Sequence, residues 1–245
     1  MNIAGRSDQG QCRTRNEDAF YIPTPGGPQD MILVADGMGG HRGGDVASST
    51  AVQVICQTVA DYEQEPSAQA VVTIATGKAN QAIYELAQQE EAFQGMGTTM
   101  TLGVLRDGVW TLGQVGDSRA YLFKKEGLVR ITHDHSLVEE MVREGALTEQ
   151  QAREHALRHI ITRAVGIDPV LEVDFYTLSL AAGDRMLLCS DGLSDMVPEE
   201  TLQDILRREE SAQAAVEALI AEANRRGGRD NITAIVVEEG GANHG

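Results

Sequence analysis

Met31-Ile-Leu-Val-Ala-Asp36-Gly37-Met38-Gly39-Gly40-His41-Arg42-Gly43-Gly44-Asp45 is the stretch that decides how this chain is read. Five apolar residues run into an Asp-Gly, and glycines follow densely. A short apolar run bounded by turn residues predicts a buried strand over 31–35. The glycines let backbone approach backbone, or a bound ion, with no Cβ in the way. Asp36 would then sit at the end of a rigid strand, beside a loop of accessible carbonyls. The pattern returns in Arg185-Met-Leu-Leu-Cys-Ser-Asp191-Gly192 and, inverted, in Asp230-Asn231-Ile-Thr-Ala-Ile-Val-Val237. Together the three predict the walls of one acidic pocket.

The chain has 245 residues, 42% hydrophobic and 23% charged, which suits one compact domain over 1–240 with a tail at 241–245. Its net charge of -17 argues against nucleic acid or an anionic membrane as a partner, since both need Lys/Arg patches. Any phosphate chemistry would need local cations to reverse that field. The first residues lack the apolar core of a signal peptide, and no run approaches the roughly 18 apolar residues of a membrane span. Cys12, Cys56 and Cys189 are few, odd in number and unpatterned. A reduced, cytoplasmic setting and a monomer are the expectation.

Residues 2–22 offer two short strands, and Pro23 to Asp30 a turn. Asp45 is read as the N-cap of a helix reaching about residue 60, and Ser67 as the cap of the next. Gln94 to Leu105 and Val109 to Val115 read as strands joined by an Asp107-Gly108 hairpin turn. Gly116-Asp117-Ser118 turns into a strand over 119–123, and Glu126-Gly127 into one over 128–132. Thr148-Glu-Gln-Gln151 fits a capping box within a polar insertion at about 136–165, read as a surface flap. Leu171 to Leu178 alternates like a half-buried strand, and 185–191 reads as a strand ending at Asp191. Helices are expected after Pro198 and Ser211, stopped by Gly227-Gly228 before a strand over 232–237. Strands come in runs and helices in pairs, which predicts an α+β fold of antiparallel sheets with helices on their outer faces.

Carboxylates about 4 Å apart repel by roughly 1 kcal/mol in water and about 4 kcal/mol at an effective dielectric near 20. A cluster of Asp36, Asp191 and Asp230 therefore takes up protons or binds cations. Carboxylates with a carbonyl and waters, and no paired Cys or His, fit Mg²⁺ or Mn²⁺. Two such ions can clamp a phosphate under in-line attack. Any one Asp-Gly alone is an ordinary turn, and an isolated Arg13 an ordinary surface charge. Yet Arg13 lies in the loop leading to Asp18, where a guanidinium could grip two phosphate oxygens. Glu17 and Asp18 are either turn residues or hydrogen-bonding partners of metal-bound waters.

Arg13-x-x-Asn-Glu-Asp18, Val34-Ala-Asp36-Gly37-Met38-Gly39-Gly40, Gly95-Met-Gly97-Thr98-Thr99, Val115-Gly-Asp117-Ser118-Arg119, Cys189-Ser-Asp191-Gly192-Leu193 and Arg229-Asp230-Asn231 occur in that order. As an ordered set they resemble the metal-dependent serine/threonine phosphatases of the protein phosphatase 2C family, in its compact bacterial form. The resemblance implies a four-layer α-β-β-α sandwich with a dinuclear Mg or Mn site between two sheets, and phosphorylated proteins as substrates. It makes Asp36 the bridging ligand, the Gly37 carbonyl a ligand of one ion, and Asp191 and Asp230 ligands of the other. Asp117 with Asp191 would hold a third ion. Arg13 would grip phosphate, Asp18 and Glu17 would lie behind the ions, and Asn231 would orient its neighbouring aspartate. The implied reaction is hydrolysis of phosphoserine and phosphothreonine by a metal-activated water or hydroxide.

One departure matters. Animal members carry a His directly after the Asp-Gly, proposed as general acid, where this chain has Met38. His41, His159 in the flap and a metal-bound water are the remaining candidates, while His133 and His135 read as turn residues. Two rival functions stand beside the phosphatase: a metal-dependent nuclease or phosphodiesterase, disfavoured by the -17 charge, and a signalling module that binds through the flap. The latter usually accompanies lost metal acids, and here all are present.

Overall fold

A computed structural model describes residues 1–65 and 67–240, with the backbone alone at 40–42 and 153. The expected tail at 241–245 and the side chain of His41 lie outside the described residues. In chain order the elements are β1 (Asn2–Asp8), β2 (Asp18–Tyr21), β3 (Met31–Met38), α1 (Gly40–Asp61), α2 (Ala68–Gln89), β4 (Gly97–Thr98), β5 (Met100–Arg106), β6 (Val109–Val115), β7 (Arg119–Lys124) and β8 (Gly127–Arg130). There follow α3 (Leu137–Arg143), α4 (Glu149–Glu154), β9 (Asp174–Leu178), β10 (Arg185–Cys189), α5 (Asp191–Ser194), α6 (Glu199–Arg208), α7 (Ala212–Arg225) and β11 (Ile232–Glu238).

One sheet has the order β1-β11-β10-β7-β8, the other β2-β3-β5-β6-β9, with β4 set against β3. The pairings are antiparallel. The period of two along each strand divides the apolar side chains between two cores. In β3, Ile32 and Val34 face the other sheet, where they meet Met186, Leu188, Ile235 and Val237. Met31 and Leu33 face the other way, against α1 and α2. In the same manner Leu187, Cys189 and Val236 face α6 and α7. That is why Met31–Ala35 reads as an unbroken apolar run: a strand covered on both faces has no side for polar residues. The result is the expected α-β-β-α order of layers.

Local chemistry places most element ends. Ser67, Ser136, Thr148 and Ser211 each accept a backbone N–H at the start of a helix, and Thr148 with Gln151 closes the predicted capping box. Asp107 and Gly108 both have positive φ, 49° and 76°, as a two-residue hairpin turn with the twist of its strands requires.

Four readings change. Asp45 is no N-cap: α1 starts at Gly40, and Asp45 Oδ1 accepts its neighbour Val46 N–H instead. Glycines are poor helix formers, but a Cβ at Gly39 or Gly43 would collide with Met96, so packing recruits the glycines into the turn. The strand over 94–105 is interrupted at Thr99, whose N–H leaves the ladder for the Asp36 carbonyl at 2.8 Å. The strand over 171–178 begins only at Asp174. Asp191 lies beyond its strand, at the first position of the short helix α5.

Leu188 is fully buried between the sheets. Leu188→Ala is expected to lower unfolding stability by about 2–5 kcal/mol, read from the denaturant midpoint. A loss under about 1 kcal/mol would mean that the two sheets are not pressed together there.

Candidate metal centre

The cleft opens at one end of the sandwich, where strands of both sheets finish. β2 and β3 bring Asp18 and Asp36 into register as direct cross-strand neighbours. The adjacent strands β10 and β11 carry Asp191 just after one and Asp230 just before the other. Asp117 occupies the turn between β6 and β7. Arg13, Glu17, Asp36, Gly37, Asp117, Asp191, Asp230 and Asn231 all line one cavity of about 610 Å³.

Close backbone contact sets this geometry. A Cβ on Gly192 would collide with the Asn231 carbonyl, so that glycine lets the Asp191 and Asp230 loops touch. A Cβ on Gly37 would collide with the Gly44 carbonyl and lie close to that of Glu17. Both backbone groups of Asp36 are gripped: its N–H donates to Thr99 Oγ1 at 2.9 Å, and its carbonyl accepts from Thr99 N–H at 2.8 Å and Thr98 Oγ1 at 2.9 Å. Thr99 Oγ1 in turn lies 2.7 Å from the hydroxyl of Ser118, the residue after Asp117.

The electrostatics are those of like charges confined together. Burial, then the charges of Asp18, Asp191, Asp117 and Asp230, hold the Asp36 carboxyl well above the usual range. Burial and then Asp117 do the same to Asp191. Burial pushes Asp117 up to about 7, with Asp134 adding and Arg119 opposing. Burial pushes Asp18 up to about 6, against the hydroxyls of Thr233 and Ser190. Asp18 Oδ1 is buried with no hydrogen-bond partner. Clustered carboxylate oxygens, one of them orphaned, are the donor set of a hard divalent cation, which takes the place of the protons they would otherwise hold. The residues present therefore fit such ions.

Arg13 donates to Asp230 Oδ2 at 2.7 Å and stays half exposed at the rim. Asn231 meets Asp230 through its backbone N–H, at 2.8 Å. Its side chain is engaged elsewhere, donating to the Gln9 and Arg15 carbonyls and accepting the Glu17 N–H. It thereby staples the loop that carries Arg13. His159 and Arg158 of the flap also line the cavity.

Sequence reasoning passed over several residues. Asp195 lies one helical turn after Asp191, and His159, Asp191 and Asp195 each offer a ligand atom within 4.8 Å of the others. That spacing was available in the sequence. His135 corrects its reading as a turn residue: it is buried, its Nδ1 accepts the Gly116 N–H at 3.2 Å, and its own N–H donates to the Gly116 carbonyl at 2.9 Å. It braces the turn that holds Asp117. His133 is exposed and lies outside any turn, with its Nδ1 3.4 Å from a Glu139 carboxylate oxygen. Cys189 is buried and its thiol is pushed up to about 12, so it offers no thiolate.

The family model of protein phosphatase 2C matches residues 6–233. A serine/threonine phosphatase, Stp, of Listeria welshimeri is 37% identical over 241 residues, 97% of this chain and 96% of its own. The crystal structure of the Mycobacterium tuberculosis serine/threonine phosphatase PstP/Ppp superposes with a TM-score of 0.86 at 36% identity, covering 97% of this chain and 99% of that one. A crystal structure of the catalytic domain of the serine/threonine protein phosphatase PstP in complex with two manganese ions gives a TM-score of 0.84 at 36% identity, with 96% of each chain covered.

Without ions, the folded protein holds protons on these carboxyls that the unfolded chain releases near pH 4. Stability should then fall as pH rises from about 4 through about 6 and 7, the values of Asp18 and Asp117. Thermal melts in chelator are expected to show a higher midpoint at pH 5.5 than at pH 8. Mn²⁺ should raise the midpoint most at the higher pH. A chelated protein that gains stability from pH 5.5 to 8 would contradict the electrostatic reading.

Proposed function

The chain belongs to the protein phosphatase 2C family, and from that premise we propose that it is a metal-dependent protein phosphatase acting on phosphoserine and phosphothreonine. The observation that carries the reading is the convergence of Asp36, Asp117, Asp191 and Asp230 on one cavity with Arg13 at its rim. Asp36 would bridge two divalent ions, the Gly37 carbonyl would complete one, and Asp191 and Asp230 would hold the other. Such ions supply Lewis-acid chemistry, lowering the pKa of water toward neutrality and screening phosphoryl charge.

The remaining work falls to the chain's own side chains. Arg13 releases Asp230 and turns its planar fork to two phosphoryl oxygens, positioning the ester and stabilising charge as it develops. Asp18 accepts hydrogen bonds from water in the cleft and orients it, and Glu17 supports the same rim. Met38 has no proton to give the leaving group. Of the histidines considered for that role, His159 lines the cavity. Burial of Cys189 counts against a cysteine-borne phosphoenzyme. We assign a third, weaker ion to Asp117 and Asp191, with His159 and Asp195 close enough to join it.

Residues 1–240 are read as one catalytic domain, with the insertion at 136–165 as a flap that contacts the protein substrate. Manganese is favoured as the assayed ion because a relative binds two of them. No helix of the described residues is long and apolar enough to cross a membrane. Three unpaired cysteines suit a reducing compartment such as the cytoplasm.

With Mn²⁺ and a phosphothreonine peptide, Asp36→Ala and Asp191→Ala are each expected to lower kcat/KM by at least about 10³-fold, and Arg13→Ala by about 10²-fold. A phosphodiester should be turned over far more slowly than the peptide. Undiminished turnover in both Asp variants would overturn the metal assignment, and faster diester cleavage would overturn the phosphatase reading.

A further inference from the structure

Asp18 has one oxygen fully engaged and one left free. Ser190 Oγ donates to Oδ2 at 2.8 Å, and Thr233 Oγ1 donates to the same oxygen at 2.6 Å. Both residues are completely buried. They are also bound to each other: Thr233 N–H donates to Ser190 Oγ at 3.0 Å, and Ser190 N–H to the Thr233 carbonyl at 3.1 Å. This link lies just past the last ladder pair of β10 and β11, Cys189 with Ala234.

The bracing continues behind Thr233. Ser7 of β1 is its cross-strand neighbour, and the two hydroxyl oxygens lie 2.8 Å apart. The single proton of Thr233 goes to the carboxylate, the shorter and charged contact, and Ser7 holds the hydroxyl from behind. Ser7 Oγ accepts from Asn16 Nδ2 at 2.7 Å, and Asn16 Oδ1 accepts the backbone N–H of Asp18 at 3.2 Å. The contacts close a ring, from the Asp18 backbone through Asn16, Ser7 and Thr233 to the Asp18 side chain. A carboxylate gripped in this way cannot turn about its last bond. Oδ1 is therefore held where it is, buried, with the Asp36 carboxyl beside the group and no hydrogen-bond donor from the surrounding packing. A buried acceptor with no donor calls for one from elsewhere.

We propose that Ser7, Asn16, Ser190 and Thr233 are positioning residues that lock Asp18 through Oδ2 so that Oδ1 stands ready to accept hydrogen bonds from water on a divalent ion. The inference rests on the reading of the cleft as a divalent-metal centre. Groups that orient a metal's surroundings in this manner usually change affinity or activity by about 10- to 100-fold when removed.

The test is calorimetric titration with Mn²⁺ of Thr233→Val, Ser190→Ala and Thr233→Ser, beside kcat and KM on a phosphothreonine peptide, with far-UV circular dichroism to verify folding. Thr233→Val and Ser190→Ala are expected to weaken Mn²⁺ binding by about 10-fold or more. They should lower kcat while leaving KM nearly unchanged, because Arg13 is untouched. Thr233→Ser, which keeps the hydroxyl, should restore both. Should Thr233→Val fail to fold, Ser190→Ala and Ser7→Ala carry the test alone. Wild-type Mn²⁺ affinity in the variants lacking a hydroxyl, or a Thr233→Ser as impaired as Thr233→Val, would overturn the inference. Asp36→Ala separates the two levels. If it loses Mn²⁺ while the hydroxyl variants bind normally, only the positioning role falls. If it binds Mn²⁺ normally, the metal centre falls and the positioning role with it.

Discussion

Repulsion among buried carboxylates is the constraint on which the rest of this molecule depends. Asp18, Asp36, Asp117 and Asp191 are each partly buried, and desolvation together with their neighbours' charges holds each above the usual carboxylate range. Such an arrangement costs folding free energy, which the hydroxyls on Asp18 and the charge of Arg119 near Asp117 offset only in part. Only a cation, or a proton, relieves the strain. A chain with net charge -17 offers phosphate no long-range attraction, so phosphate chemistry there needs local cations.

The fold supplies the rigidity that this repulsion requires. Two sheets share an apolar core, so the ends of β2, β3, β10 and β11 are fixed relative to one another. Two devices then bring the acids close. Glycines at 37 and 192 remove the Cβ atoms that would keep backbones apart. Hydroxyls of Ser190 and Thr233 hold one oxygen of the Asp18 carboxylate, and those of Thr98 and Thr99 hold the Asp36 backbone, without adding charge. A cationic partner in their place would have neutralised the cluster and removed its affinity for ions. Arg13 pairs with Asp230 at the open rim and stays half exposed there.

Much of this was legible in the sequence, and for local reasons. A strand covered on both faces must be apolar throughout, so Met31–Ala35 announced itself. Caps at Ser67, Thr148 and Ser211, and the Asp107-Gly108 turn, are set by residues within three or four positions of one another. The site aspartates were legible as Asp-Gly and Asp-Asn pairs at strand ends, and as an ordered set resembling one family. What escaped depends on partners far along the chain. Packing against Met96 turns the glycines after Met38 into a helix and demotes Asp45 from cap to interior residue. His135 looked like a turn residue because Gly116 is 19 positions away. Ser190 and Thr233 lie 172 and 215 positions from Asp18, and no periodicity reports a contact at that range. Asp195 is the exception, four residues after Asp191 on one helical face, where the spacing could have been read.

The account stands on these acids forming a seat for divalent ions, and anomalous diffraction from a crystal grown in Mn²⁺ tests that most directly. It predicts manganese peaks within direct bonding distance of Asp36, Asp191 and Asp230, with a water or solvent peak beside Asp18 Oδ1. A well-ordered crystal whose cleft carries no anomalous signal at saturating Mn²⁺ would contradict it.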